Sequence, residues 1–560
     1  MRSKHNGLKV WGISVVALFG IAACGGGDGE KGNPPAAFNL TEVTVEQEGS
    51  GRVSFAWLPS ERAERYQICI EAQRQCTAIG ETTGHERILT LQNSKALTQP
   101  QYFIRAINSD GYTDSNLMAL PVAALTKASK VFLPATDQQK SVFASNVSMS
   151  ADGNTIAVAA PFDNISDSFF EQKAGAVYIY QRDEAGFWKD PVQIVASNRD
   201  GYDWFGIGIS LSDDGKTLAV GASGEQSTFV DRPTENMNDA VGAVYIFESN
   251  GDGNWQETAY IKSASSLDLW DHFGGQVELS GNGKTLAVAA IGHDAATTDD
   301  PLDNSRIDTG GVYVFERQSN GTWTEKQYLK AAGLEREAGY GYTMAMDGAG
   351  TQLVVGMPYS GGTDRYGEVF TYSKDADGHW QLEAILNGER KPVAKFGSEI
   401  DMDSRGETLA IAMPGRHGFA TGVVRVYTRT SSSNWTFSAE IADPKQDKYS
   451  DFGQRGLSVS QDGQVIAIGA MATDVADPDN PGVQITKAGA VYIYRLDEQQ
   501  NWQQSGIFHA RESQGHAYFG HAIDLSQDGS AVAIGSSGLK LRNPQGTGTD
   551  NDLNSSVAIY

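Results

Sequence analysis

The sequence predicts an all-β chain: a small antiparallel sandwich, then a seven-bladed β-propeller closed by an N-terminal fourth strand for the last blade. Three observations carry this. One pattern recurs seven times after residue 143, each copy holds short apolar runs suited to four strands, and the last copy lacks its fourth run while a matching run stands ahead of the first.

The copies start at Phe143-Ala144, Phe205-Gly206, Phe273-Gly274, Tyr340-Gly341, Phe396-Gly397, Phe452-Gly453 and Phe519-Gly520, at intervals of 62, 68, 67, 56, 56 and 67 residues. Ten residues after the aromatic comes a glycine in six copies: Gly153, Gly215, Gly283, Gly350, Gly406 and Gly529. In the remaining copy it is Gly463, one residue later, which fits either a bulge or a longer turn. A second strand follows ("IAVAAP", "LAVGAS", "LAIAMP"), then a variable loop, a third strand ("GAVYIY", "GGVYVF") and, in six copies, a Trp that is expected to open the fourth: Trp188, Trp255, Trp323, Trp380, Trp435 and Trp502.

A lone four-stranded sheet cannot cover both faces, and radial stacking of blades hides them. Gly and Ala in the second strand let adjacent blades approach closely near the axis. The final copy ends at "SSVAIY", so Lys130–Leu133 is expected to supply its missing strand and leave no exposed edge.

The Phe-Gly starts and the "VAAP", "VGMP" and "IAMP" segments resemble FG-GAP repeats, which build the propeller of integrin α-subunits and of many bacterial surface proteins. The resemblance covers residues 130–560 and implies the fold more than any activity. In that family some blades bind calcium through D-x-[DN]-x-[DN]-G-x-x-D in this turn, and calcium requires six to eight oxygens. Placing Gly215 sixth puts Ser210, Ser212, Asp214 and Leu218 at the ligand positions, so the last is apolar. Asp401 and Asp403 are spoiled by Arg405 and Leu409; Asp524, Ser526 and Asp528 lack the last ligand at Val532. A hairpin with Gly at positive φ is the favoured reading of all seven turns. Asp401 and Asp403 stay as weak metal candidates, and no cofactor is expected. No helix follows that would receive a phosphate.

The formal net charge is −25, from 44 Lys and Arg against 69 Asp and Glu, which argues against nucleic-acid partners. The N-terminus has Arg2, Lys4 and Lys9, an apolar run from Val10 to Ala23, and Ile21-Ala22-Ala23-Cys24. This resembles the lipobox of bacterial lipoproteins, which implies cleavage before Cys24 and lipid attachment there. Residues 25–36 read as a flexible tether. Residue 25 is Gly rather than the Asp that often retains such proteins at the inner membrane, so the outer membrane is expected, with the leaflet open. Export permits a Cys69–Cys76 disulfide, and a hairpin turning at Ala72-Gln73 would set the two opposite each other.

Residues 37–125 hold the alternating runs of a sandwich, with Val53, Phe55 and Trp57 on one inward face. The run "YFIRAINSDGYTDSN" resembles the late strands of fibronectin type III modules, which implies a spacer or docking module. The propeller is expected to occupy residues 126–560.

No GxSxG, HExxH or CxxC motif is present. His509, His516 and His521 form a local cluster open to a zinc or acid–base reading, against ordinary surface and channel histidines. The loops between second and third strands are long and acidic, with Asp294, Asp299, Asp300, Asp303, Asp477 and Asp479. Crossover loops carry Tyr202, Trp204, Trp270 and Tyr518, read either as sugar-stacking aromatics or as wedges between blades. Together these lead to the expectation of a non-enzymatic, lipid-anchored envelope protein with a protein or glycan ligand. A polysaccharide-acting enzyme is the alternative, and a purely structural envelope partner the third.

Overall fold

The computed structural model describes residues 33–45, 52–72, 75–90, 101–119, 130–132, 142–165, 172–183, 186–539 apart from short loop stretches (the longest 296–304), and 554–560. Cys24, Leu133, Asp299, Asp300, Asp303 and Asp479 lie outside them. Among the described residues the secondary structure is all β, and no helix is long and apolar enough to cross a membrane.

The first unit is a sandwich. One sheet orders Leu40–Val45, Arg52–Trp57 and Glu86–Thr90; the other orders Gln75–Thr82, Arg65–Ala72, Gln101–Asn108 and Gly111–Asp114, with Met118–Ala119 against Gln101–Asn108. Val53, Phe55 and Trp57 are buried between the sheets, as their alternation requires, against Tyr66 and Tyr102. Cys69 and Cys76 form a disulfide with Cα atoms 5.0 Å apart. Their register differs from a turn at Ala72-Gln73: Ala72 pairs with Gln75, so the hairpin turns one residue later. Cys69 therefore faces Ala78, Cys76 faces Glu71, and the bridge runs diagonally on one face of the ladder.

The second unit is the propeller, seven four-stranded antiparallel sheets. Six are built from consecutive copies. The seventh takes Ala522–Leu525, Val532–Leu539 and Asn554–Ile559 from the end of the chain and Lys130–Phe132 from before the first copy. Val557 pairs with Phe132, Ala558 with Val131 and Ile559 with Lys130. The innermost strands touch in sequence around the ring, including the first with the last.

Both faces of each blade are covered. The second strands Thr155–Ala160, Thr217–Ala222, Thr285–Ala290, Thr408–Met413 and Val465–Ala470 are buried at every residue, which explains why their apolar runs do not alternate. Each starting aromatic is buried; Phe205 meets Tyr245 of its own third strand edge-to-face at 5.4 Å, and Phe273 meets Tyr313 at 5.6 Å. A Cβ on Gly242, just before the third strand Ala243–Ser249, would lie 2.0 Å from the Phe273 carbonyl oxygen, so adjacent blades need glycine there.

The seven turn glycines have φ between 60° and 71°, the left-handed conformation that the hairpin reading requires. In the sixth blade the extra residue sits in a bulge of the innermost strand, between Phe452 and Leu457, where Gly456 has φ 67°. The turn itself keeps its length: Ser460 N–H donates to Val465 O as Ser212 N–H does to Thr217 O. Trp255, Trp323, Trp380 and Trp502 open fourth strands, whereas Trp435 precedes one by a residue and Trp188 makes only an isolated bridge to Arg182.

Candidate binding face

Each innermost strand runs from a loop face, at its aromatic start, to a turn face, at its hairpin. The turn face is tied into a ring. Backbone bonds link consecutive turns around the whole ring: Ala151 N–H to Asp213 O, Asp213 to Gly281, Asn282 to Gly348, Gly348 to Ser404, Ser404 to Gln461, Asp462 to Gln527, and Gln527 back to Ala151, all between 2.8 and 3.1 Å. Across this ring Gln461 Nε2 donates to Asp213 Oδ1 at 2.8 Å.

The turn side chains satisfy their own hairpins. Ser212 Oγ accepts from Thr217 N–H and donates to Asp214 Oδ1, which in turn accepts from Lys216 N–H. Asp403 accepts the N–H groups of Glu407 and Thr408 and meets Arg405. Asp401 is not beside it as a second ligand. Its Oδ2 accepts Val459 N–H of the next blade at 2.6 Å, while Asp524 Oδ2 accepts Met149 N–H at 2.7 Å.

Ser148 to Leu211, Ser210 to Leu279 and Ser458 to Leu525 repeat this link, so the first position of the calcium frame is a staple between innermost strands, lining the bore. Glu278 and Ala345 occupy the same position without it. Burial pushes Asp401 up to about 6 and Asp524 up to about 7, with the neighbouring carboxylate adding to Asp524; burial, with the Asp401 and Asp524 carboxylates, also raises Glu278 well above its ordinary value. Among the described residues no three His, Cys, Asp or Glu side chains stand close enough to hold a metal ion.

The loop face is built differently. The residue just before each starting aromatic is left-handed in all seven blades: Val142, Trp204, His272, Gly339, Lys395, Asp451 and Tyr518, with φ from 49° to 70°. The cause is local. The N–H groups of Trp204, His272, Lys395 and Tyr518 donate to the carbonyls of Lys173, Ala240, Arg365 and Lys487, themselves left-handed, in the preceding blade's long loop. Each non-glycine residue so held carries about 1–2 kcal/mol of strain. Such strain gathers where a scaffold over-determines the geometry of a ligand site.

Inside this face is a cavity of about 270 Å³ at the mouth of the bore, lined among others by Asn146, Gln276, Tyr342, Glu399, Arg455 and His521. Burial pushes Glu399 up to about 7, opposed by the Arg455 guanidinium; burial, with Arg455, pushes His521 down to about 4. A groove of about 340 Å³ between the third and fourth blades adjoins it.

The three histidines part company. His521 is at the mouth, His516 is exposed in a crossover, and His509 directly follows the fourth strand Trp502–Phe508. His509 stands where Lys262 and Lys330 stand in the second and third blades. There the buried Lys262 ammonium donates to Gly242 O at 2.6 Å and meets Glu225 at 2.5 Å, and Lys330 donates to Gly310 O at 2.5 Å. His509 faces the matching Gly489 backbone, and burial with Lys445 pushes its pKa down. It is a blade-closing residue, and the parallel endings "YIK", "YLK" and "IFH" were the signal for it.

Of the crossover aromatics, Trp270 is 54% exposed, whereas Trp204 is half-buried and stacks on His272 at 6.1 Å. Asp294 accepts the N–H of Asp308 within its own loop.

Repeats of this geometry have a known counterpart. Residues 188–247 match the FG-GAP repeat family model. The matched FG-GAP segment runs from Trp188 through the turn at Gly215 to Phe247, and the same backbone plan recurs in the other blades. No curated protein sequence matches the chain. Among solved structures it is similar to hydrazine synthase of Kuenenia stuttgartiensis, at 13% identity and a TM-score of 0.42, covering 72% of this chain and 95% of that one. It is also similar to a Bacteroides uniformis protein described as a 6-phosphogluconolactonase, at 11% identity and a TM-score of 0.41, covering 80% and 97%. Neither likeness bears on what the chain does.

Proposed function

We propose that the chain is a non-enzymatic, lipid-anchored protein of the cell envelope whose propeller is a ligand- or protein-binding platform, in adhesion or envelope assembly. The ring of left-handed residues carries this reading. One constant left-handed conformation sets seven different residues on the loop face: Val142, Trp204, His272, Gly339, Lys395, Asp451 and Tyr518. Rigid repeats with variable side chains on one face are how binding scaffolds are made. The turn end of the bore leaves a space of only about 100 Å³, against about 270 Å³ at the loop-face mouth, which favours the loop face for the ligand. The lipobox-like residues ending at Cys24 support an outer-membrane anchor, and the two packed antiparallel sheets of three and five strands support a fibronectin type III-like spacer.

A second reading has one observation in its favour: Glu399, held near neutrality beside the mouth cavity, has the poise of a general acid for polysaccharide cleavage. One experiment separates them. Immobilised protein is exposed to envelope extracts and, separately, to labelled polysaccharides. The platform reading expects retained material that is lost when Trp204, Lys395 and Tyr518 are together replaced by Ala and kept in Gln461→Ala. Robust glycan cleavage, or retention indifferent to the loop-face changes, overturns it.

A further inference from the structure

The mouth cavity and the groove adjoin and form one stepped depression, with Ile291 and Tyr342 in the lining of both. Tyr342 stands at the junction and meets Tyr359 edge-to-face at 5.2 Å. The Arg365 guanidinium lies 5.4 Å from the Tyr359 ring centre and Lys395 Nζ 5.8 Å from it, so cation–π contacts hold the outer ring in place. The inner end is rich in uncharged hydrogen-bonding groups, including Asn146, Gln276 and Thr343. Two buried polar atoms there have no partner: Ser145 Oγ and His521 Nδ1. Buried polar atoms are rarely left unpaired in a cavity unless solvent or a ligand meets them.

We infer that this depression binds the end of a neutral oligosaccharide chain, the terminal sugar entering the mouth and the next lying against Tyr342. This rests on the platform reading and adds the ligand class. Aromatic planes meet the C–H faces of sugar rings, while amides, hydroxyls and a guanidinium take up their vicinal hydroxyls. Their volumes are those of small-molecule sites. The charge balance selects a neutral chain: Arg365 faces Glu337 at 4.0 Å, Arg455 is offset by Glu399, and the net charge of −25 repels polyanions at long range.

The test titrates the full-length chain with cellotetraose, maltotetraose and chitotetraose, and with tetragalacturonate as the acidic counterpart, by saturation-transfer NMR and intrinsic fluorescence. At least one neutral tetrasaccharide should bind, and Tyr342→Ala and Arg455→Ala should each weaken it at least about tenfold, close to 1.4 kcal/mol. Arg455 is exposed, so its variant keeps the fold and decides the matter if Tyr342→Ala does not. Binding of tetragalacturonate alone, binding indifferent to both variants, or no binding by any neutral sugar overturns the inference. If loop-face-dependent retention persists in that last case, only the ligand class falls and the platform reading stands.

Discussion

Gln461 of the sixth blade and Asp213 of the second are joined by a 2.8 Å hydrogen bond across the turn end of the propeller, although 248 residues separate them. Burial holds the Asp213 carboxyl above its usual range, and the Gln461 amide offsets that. Gln461→Ala should therefore leave a partly buried carboxyl unmatched and cost about 1–3 kcal/mol. Thermal melts compare the variant with wild type; an unchanged midpoint would show that the bond contributes nothing.

Ala144 is the one residue at the second position of a repeat that is not glycine, and it has φ 64° where the glycines have 72° to 97°. Ala144→Gly relieves left-handed strain of about 1–2 kcal/mol and loses part of it to unfolded-chain freedom, so a net gain of about 0.5–1 kcal/mol is expected. A lower melting temperature would mean that the Ala144 methyl, buried in the first-blade core, matters more than its backbone.

Asp401, Asp524 and Glu399 should make stability fall as pH rises. Their folded pKa values, about 6, 7 and 7, lie above the ordinary carboxylate range, so between about pH 4 and 7 the folded protein holds protons that the unfolded chain has released. The contribution is most favourable below that window and fully lost above it. Buried Asp203 and Asp271, at about 8 and 7, act in the same direction. The melting temperature should be higher at pH 5.5 than at pH 8, and Asp524→Asn should flatten the difference. A steeper profile in that variant would refute this assignment.

Removing residues 553–560 deletes the strand that receives Lys130–Phe132, along with buried Val557 and Ile559. At about 1.5–3 kcal/mol for each large apolar side chain, the loss exceeds several kcal/mol. A melting temperature equal to that of the intact chain would contradict closure by this strand.

The repeat, the ring and its closure were legible because they depend on apolar runs, on the aromatic-Gly starts and on glycines that alone accept positive φ. The site was less so. Ser210, Asp401 and Asp524 read as calcium-frame residues because spacing along a turn does not reveal that their side chains reach the next blade. The left-handed ring has no signature in residue type, since Val142, Trp204 and Lys395 are all unusual choices for that conformation. The disulfide was legible as a pair of cysteines in one hairpin, but its diagonal register depends on where the turn falls.

The clasp also decides how the molecule meets force. Lys130–Phe132 is the first propeller strand reached from the sandwich side, and among the described residues three pairs hold it to the end of the chain. Tension applied through the sandwich reaches the described ring at this strand. A pull strong enough to strip three residue pairs would release the seventh blade's outer strand while the other six blades keep theirs, making the seam a mechanical fuse.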